Sequence, residues 1–400
     1  MSSTTGRKTL HLTLLGTILL GCFLYLSFLY YDKSASWVLG PVNSTEPTEQ
    51  IKSVIPHKSN MVTPNKRNDV DQNKSNNVVF NKNNDIIPNK SNDVVPNKRN
   101  DDVITVLMWI WPLRIQRELN RCSSLFNIEG CFITPDRKFY NKADGVIIFH
   151  RFIYSNGSNL PKLHRPVFQK WIWMNTESPT NSRRIPTIEN LFNLTTSYRL
   201  DSNIPLPIGV LEAADGKEEF VLPRKNKLVC WIVSHWNKEL VRVKYFNEFK
   251  KHIKVDTYGR AFGAYITHEE YLSTIPSCKF YLAFENSIHR DYITTKFYNP
   301  LSVGTVPVVL GPPRHNYENV IQGDAFIHVD DFSSPKELAD HLLLLDKNEE
   351  MYLRFFEWKR YFKVRTTRYL NEHVCATCEY LRKHKEYQTF SNLREWFWEN

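Results

Sequence analysis

Two apolar runs of strand length, Phe280-Tyr281-Leu282-Ala283-Phe284 and Val306-Pro307-Val308-Val309-Leu310, flank a stretch just long enough for a loop and one short helix. That helix reads from Thr294 to Gly304, with Phe297, Leu301 and Val303 as its apolar positions and a glycine stop. Strand, loop, helix and strand make a βαβ unit, and the crossover implies a parallel sheet. In parallel sheets ligands bind off the carboxyl ends of the strands. The polar set Glu285, Asn286, Ser287, Asp291, Tyr292, Thr294, Thr295 and Lys296 falls there. A lysine in the first turn of a helix, beside unpaired backbone N–H groups, can seat a diphosphate. On spacing alone, a solvated loop of turn-forming residues fits equally well.

An ordered α/β head is expected from Val103 onward. Its first strand is Ile104 to Trp111. A second, Gly145 to Phe149, runs into His150-Arg151, and a third, Phe168 to Met174, ends at Asn175-Thr176-Glu177-Ser178-Pro179. These place a first domain at 103–220, with the charged turn Asp215 to Glu219 as the crossing to a second at 221–360. The second domain opens with Lys227 to Ser234. A helix over Arg242–His252, a strand over Lys254–Gly259 and a helix over Thr267–Ile275 precede the βαβ unit. After it come a strand over Ala325–Val329 and a helix capped by Ser333 or Ser334, with Leu338, His341, Leu342 and Leu345 on one face. An aromatic helical tail, 361–400, is expected to pack back on the first domain. The architecture is two doubly wound, Rossmann-like domains facing a cleft.

Upstream, Leu10 to Tyr31 is a 22-residue uncharged apolar run behind Arg7 and Lys8. It is long enough to span a bilayer and longer than a signal-peptide core, although a cleaved signal is the rival reading. The basic flank orients it as a type II signal-anchor, with residues 1–9 cytosolic and the head lumenal. Residues 32–102 are rich in Asn, Lys, Asp and Pro and repeat every eight residues, as in Ile87-Pro88-Asn89-Lys90 and Val95-Pro96-Asn97-Lys98. Such composition reads as a disordered stem rather than a ligand-binding repeat array. Asn-x-Ser/Thr acceptors stand at Asn43, Asn73, Asn89, Asn156 and Asn193. Beyond Cys22, the six cysteines Cys122, Cys131, Cys230, Cys278, Cys375 and Cys378 suit three lumenal disulfides in any of fifteen pairings. Cys375-Ala376-Thr377-Cys378 also fits a zinc knuckle or a redox pair, with only His373 as a near third ligand. The net charge of +10 is spread along the chain, without the interleaved basic and aromatic patch of a nucleic-acid binder.

Phe284-Glu285-Asn286-Ser287, Asp291-Tyr292-Ile293-Thr294, Lys296 and Gly304-Thr305-Val306-Pro307-Val308-Val309 together resemble the signature of the α-(1,3)-fucosyltransferases, glycosyltransferase family 10. Phe168 to Asn175 with Glu177-Ser178-Pro179, Lys227 to Trp231, and Trp396-Phe397-Trp398 extend the resemblance over about residues 103 to 400. It implies the GT-B fold, a Golgi membrane location, GDP-fucose as donor, and lactosamine-bearing glycoprotein and glycolipid acceptors. It further implies inverting transfer to a GlcNAc 3-hydroxyl, with Glu177 as general base, which on its own would read as a surface turn. The donor contacts would be Arg242, Tyr258, Asn286, Tyr292, Thr295 and Lys296, and the acceptor contacts His150 and Arg151, with Arg151 favouring Galβ1-4GlcNAc chains. The disulfides would be Cys122–Cys375, Cys131–Cys378 and Cys230–Cys278. No cofactor or metal motif is implied, Asp69-Val70-Asp71 and Asp330-Asp331 lacking ligand company; stimulation by a divalent ion and a homodimer are both compatible with it.

Three positions depart from the family pattern: Thr295 stands where a Glu is usual, Phe152 where an Asp is common, and His235 where an Asn is common. Thr295 removes a hydrogen-bond acceptor for the donor sugar, with Glu285 and Asp291 as the nearby carboxylates to compensate. It keeps open a second expectation, a catalytically silent, membrane-anchored protein that binds glycan or nucleotide sugar. A retaining, metal-dependent transferase is a third, without its acidic motif.

Overall fold

The computed structural model describes residues 103–111, 119–214, 216, 220–321 and 323–399. The apolar run, the repeat zone, Asn43, Asn73, Asn89 and most of the Asp215–Glu219 crossing lie outside these residues. Among the described residues no helix is long and apolar enough to cross a membrane.

The chain has an α/β fold built on parallel strands. The first sheet contains β1 (Ile104–Ile110), β2 (Cys131–Thr134), β3 (Gly145–Phe149), β4 (Lys170–Asn175), β5 (Leu194–Ser197) and β6 (Ile204–Pro205), in the order β2-β1-β3-β4-β5-β6. Every pairing in it is parallel. β3 and β4 are buried at every position, as expected for strands covered on both faces. Alternation divides them: Val146, Ile148, Trp171 and Trp173 enter one core, Ile147, Phe149, Ile172 and Met174 the other. The short helix α1 (Cys122–Phe126) lies on the second of these faces.

After β7 (Gly209–Ala213), a second parallel sheet contains β8 (Lys227–Ile232), β9 (Val255–Tyr258), β10 (Cys278–Phe284), β11 (Val306–Leu310) and β12 (Ile327–His328), in the order β12-β11-β10-β8-β9. The helices interleaved with it are α2 (Val241–Phe249), α3 (His268–Thr274), α4 (Thr295–Ser302), α5 (Arg314–Glu318), α6 (Pro335–Lys347) and α7 (Glu349–Arg354). The two apolar runs pair directly, Phe280 beside Val306 through Phe284 beside Leu310. Ser334 caps α6 by accepting the Glu337 N–H, and Leu338, Ala339, Leu342 and Leu345 form its buried face. His341 sits at the margin of that face, only partly buried.

The 361–400 segment is not wholly helical. It begins with β13 (Phe362–Thr366), antiparallel to β7, and its apolar–charged alternation suits a half-exposed ribbon. Then α8 (Tyr369–Lys383) packs on β1, β2 and β3. Cys122–Cys375 and Cys131–Cys378 fasten α8 to α1 and β2, and Cys230–Cys278 joins β8 to β10. The sequon expectation is corrected at Asn193, which is buried; Asn156 is exposed. Asn193 Nδ2 donates to the Gln388 carbonyl at 2.7 Å, and its Oδ1 accepts from the Trp171 N–H at 2.8 Å. A glycan at Asn193 requires the Gln388 segment to be displaced.

Candidate functional site

The loops that leave the carboxyl ends of β3 and β4 meet the loop that leaves β10. On the β10 side, Glu285 is 2% exposed and its charge is fully engaged. Its Oε1 accepts the Thr294 N–H at 2.9 Å and the Thr294 hydroxyl at 2.8 Å, and its Oε2 pairs with Lys296 Nζ at 2.9 Å. Thr294 also caps α4, accepting the Lys296 N–H, which fixes Lys296 in the helix's first turn. Arg242, in the first turn of α2, is 4% exposed. Its NH2 donates to the His235 carbonyl at 2.7 Å, while its buried Nε has no hydrogen-bond partner among the described residues. Burial pushes the Arg242 guanidinium pKa down, and the charge of Glu285 pulls it back up. Two cations around one carboxylate leave a net positive charge beside two helix starts, and an orphaned guanidinium N–H calls for an anionic oxygen.

Tyr292 is buried in the first sheet's core, its ring 5.1 Å from that of Tyr198. Burial raises its hydroxyl well above the usual range, the charges of Glu177 and Glu285 add to this, and a hydrogen bond with Asn286 opposes it. Tyr258 ends β9, its hydroxyl raised by burial and by Asp256. The turn beyond it needs a glycine: Gly259 has φ +96°, and a Cβ would stand 2.3 Å from the Val233 carbonyl oxygen. Thr295 is exposed at the first position of α4. Neither candidate substitute for its missing carboxylate is available. Glu285 is committed as above, and Asp291 accepts from Asn316 Nδ2 at 2.7 Å and the Leu200 N–H at 3.1 Å.

On the other side, Arg151 NH1 donates to Glu177 Oε1 at 3.0 Å, an ion pair between the ends of β3 and β4. The Glu177 N–H rests on Asn175 Oδ1, and Asn175 in turn donates to the Ser182 hydroxyl. His150, expected beside Arg151 as an acceptor contact, is instead 3% exposed, with both ring nitrogens used. Trp173 Nε1 donates to its Nδ1 at 3.1 Å, and its Nε2 donates to the Arg183 carbonyl at 2.9 Å. Its ring lies against Trp173 and Trp398. The two residues open the tight turn His150–Phe152 that follows β3, which turns the His150 ring inward onto Trp173 and leaves Arg151 exposed beside Glu177. Trp398 Nε1 donates to the Ser182 carbonyl, so the chain's last aromatic residues brace the Glu177 loop.

Burial drives the pKa of His150 down to about 4 and that of fully buried His373 to about 3. Both imidazoles are held neutral when folded, whereas the unfolded chain takes up protons near pH 6.5. Their contribution is therefore intact above pH 6.5 and is lost as pH falls toward 4. Together they are expected to lower the unfolding free energy by about 3 kcal/mol between pH 6.5 and 5. Denaturant titrations at the two pH values check this, and His373→Gln should remove about half of the change.

Among the described residues no three His, Cys, Asp or Glu side chains converge as metal ligands. Asp331 is paired with Arg314. Two features escaped the sequence: Glu285 as the internal counter-ion of Lys296, and the support of Glu177 by Asn175 and Trp398. The only sequence signal for the first is an acid at the end of a buried strand followed by a capped helix.

Residues 101–209 match the family model described as fucosyltransferase, N-terminal, and residues 222–396 match the C-terminal model of glycosyltransferase family 10 (fucosyltransferase). The chain is 43% identical over 396 residues, 99% of each chain, to a Rattus norvegicus protein named 4-galactosyl-N-acetylglucosaminide 3-alpha-L-fucosyltransferase 9. It is 43% identical over 300 residues to a 3-galactosyl-N-acetylglucosaminide 4-alpha-L-fucosyltransferase of Pan troglodytes, covering 74% of this chain and 80% of the relative. A crystal structure of an alpha1,3-fucosyltransferase with GDP-fucose aligns with 71% of this chain and 91% of that one, at 16% identity and a TM-score of 0.45.

Proposed function

The chain belongs to glycosyltransferase family 10, the fucosyltransferases, and on that premise we propose that it moves L-fucose from GDP-β-L-fucose to the 3-hydroxyl of GlcNAc in N-acetyllactosamine-type glycans. The observation that supports this reading is that the loop bearing an Arg151-held carboxylate, Glu177, meets through Ser178 and Ser287 the loop between Glu285 and the Lys296 cation, with Arg242 bonded to the end of β10. In the reaction, Glu177 takes the proton of the acceptor hydroxyl as that oxygen bonds to fucose C1. The C1–O bond to the diphosphate breaks on the opposite face, and GDP leaves with its added charge beside Lys296 and Arg242. Inversion follows from this single displacement. Asn286, Thr295 and Tyr258 border the donor; Tyr292, expected beside them, is instead buried in the core and acts behind Asn286, to which it is hydrogen-bonded. Arg151 faces the acceptor. The head is a GT-B pair of domains, 103–220 and 221–360, held in the Golgi lumen by the 10–31 anchor, with glycoproteins and glycolipids as acceptors.

One observation favours a second reading, a silent glycan- or nucleotide-sugar-binding relative: Thr295 lacks the carboxylate, and both nearby substitutes are committed. Incubation with GDP-fucose and N-acetyllactosamine separates the two. We expect turnover by the unaltered chain, and about a tenfold gain in kcat/KM for GDP-fucose in Thr295→Glu, the worth of one charged hydrogen bond. A silent parent with an active Thr295→Glu variant would support the second reading. Silence in both would contradict the transferase assignment.

A further inference from the structure

The loop between β10 and α4 does more than present Lys296. Its two ends are tied together, Glu285 to Thr294, so residues 285–294 form a closed bracket. Across the bracket, polar groups reach the segments that follow β4 and β5. The Ser287 and Ser178 hydroxyls lie 2.6 Å apart. His289 Nε2 receives the Thr180 hydroxyl at 2.6 Å and the Thr180 N–H at 3.3 Å. Because a backbone N–H donates to it, Nε2 is an acceptor and carries no proton. Arg290 pairs with Asp201, and Asp291, in the left-handed region at φ 61°, holds the Leu200 N–H.

Ser178 and Thr180 are one and three residues past Glu177, and Pro179–Asn181 is a single tight turn. Asn181 Nδ2 donates back to the Ser178 hydroxyl at 3.1 Å. A turn closed on itself moves as a unit, so shifting Thr180 carries Glu177 with it. We propose that Thr180 and His289 are a positioning pair that couples the donor seat to the base, so that occupancy at Lys296 and Arg242 sets where the Glu177 carboxylate stands. This rests on the transferase reading above. Neither residue need touch a reacting atom. The pair's effect is on distance, where a displacement of about 1 Å costs on the order of 100-fold in rate.

The test uses the full chain and its variants at position 289, a partly buried loop site. His289→Ala should lower kcat by about 10–100-fold with GDP affinity, measured calorimetrically, within about twofold. Gln, whose Oε1 can occupy the place of Nε2, should restore most of the rate, whereas the shorter Asn should not. Thr180→Ala combined with His289→Ala should be no slower than either alone. Hydrogen exchange supplies a readout that does not depend on turnover. GDP should slow exchange at 175–182 in the unaltered chain, and His289→Ala should abolish that protection while sparing 294–298. An unchanged kcat, an equal loss of GDP affinity, rescue by Asn as good as by Gln, or GDP protection at 175–182 that survives His289→Ala overturns the proposal. A parent that fails to transfer fucose yet shows the coupled protection would sink the transferase reading and leave the pair standing.

Discussion

Glu177→Gln is expected to lower kcat for fucose transfer by about 10²–10⁴-fold, the range for losing a positioned general base. The substitution is close to isosteric, and its carbonyl oxygen can keep the contact with Arg151 NH1 that Oε1 makes at 3.0 Å. The Asn175 support of the Glu177 N–H is untouched, since it uses the backbone. What disappears is the capacity to accept the hydroxyl proton. KM for both substrates and the melting temperature should therefore stay near those of the parent, and steady-state kinetics with both substrates varied reads the split. A variant that keeps more than about a tenth of the parental kcat would place the base elsewhere.

Lys296→Met should weaken GDP binding by about 100-fold, roughly 3 kcal/mol, the scale for removing one member of a hydrogen-bonded charge pair. Two effects act in the same direction. The diphosphate loses a cation, and Glu285, 2% exposed, is left as an anion that repels it. Arg242 and Thr294 still face Glu285, so the loop is expected to fold. GMP, with one phosphate fewer, should be affected less than GDP. Adding Glu285→Gln to Lys296→Met should recover part of the affinity by removing the repulsion. Calorimetry on the single and double variants checks this. Equal affinities for GDP in parent and Lys296→Met would remove Lys296 from the donor seat.

The parts of the fold that could be read in the sequence are those whose burial is continuous. β3, β4, β10 and β11 are largely apolar because both faces of each sheet are covered, in the first sheet by α1 and α8 on one side and by loops and the aromatic tail on the other, and runs this short and this apolar suit little besides a buried strand. β5 is equally buried but reads Leu-Thr-Thr-Ser, and its hydroxyls are satisfied by the turn that follows it, through Asn203 and Ser202, and for Thr196 by the distant His373. No local pattern carries that information. The same limit holds for the β7–β13 ribbon and for the pairing of six cysteines, which spacing leaves open. In the site, Lys296 was legible because a capped helix start gives its position a local cause. Glu177 was not, since a Glu-Ser-Pro turn becomes distinctive only when Arg151 arrives from a different strand. His150 and Arg151 show the finest limit: neighbours at a strand end, one enters the core and one faces the site, and which is which depends on the aromatic tail packed beneath.

The most direct measurement is the structure of the product formed from GDP-β-L-fucose and N-acetyllactosamine, read by nuclear magnetic resonance. One α-linked fucose is expected, inverted at C1, with its anomeric proton correlated to C3 of the GlcNAc. A β-linked fucose, fucose on another hydroxyl, or hydrolysis of the donor without transfer would contradict it.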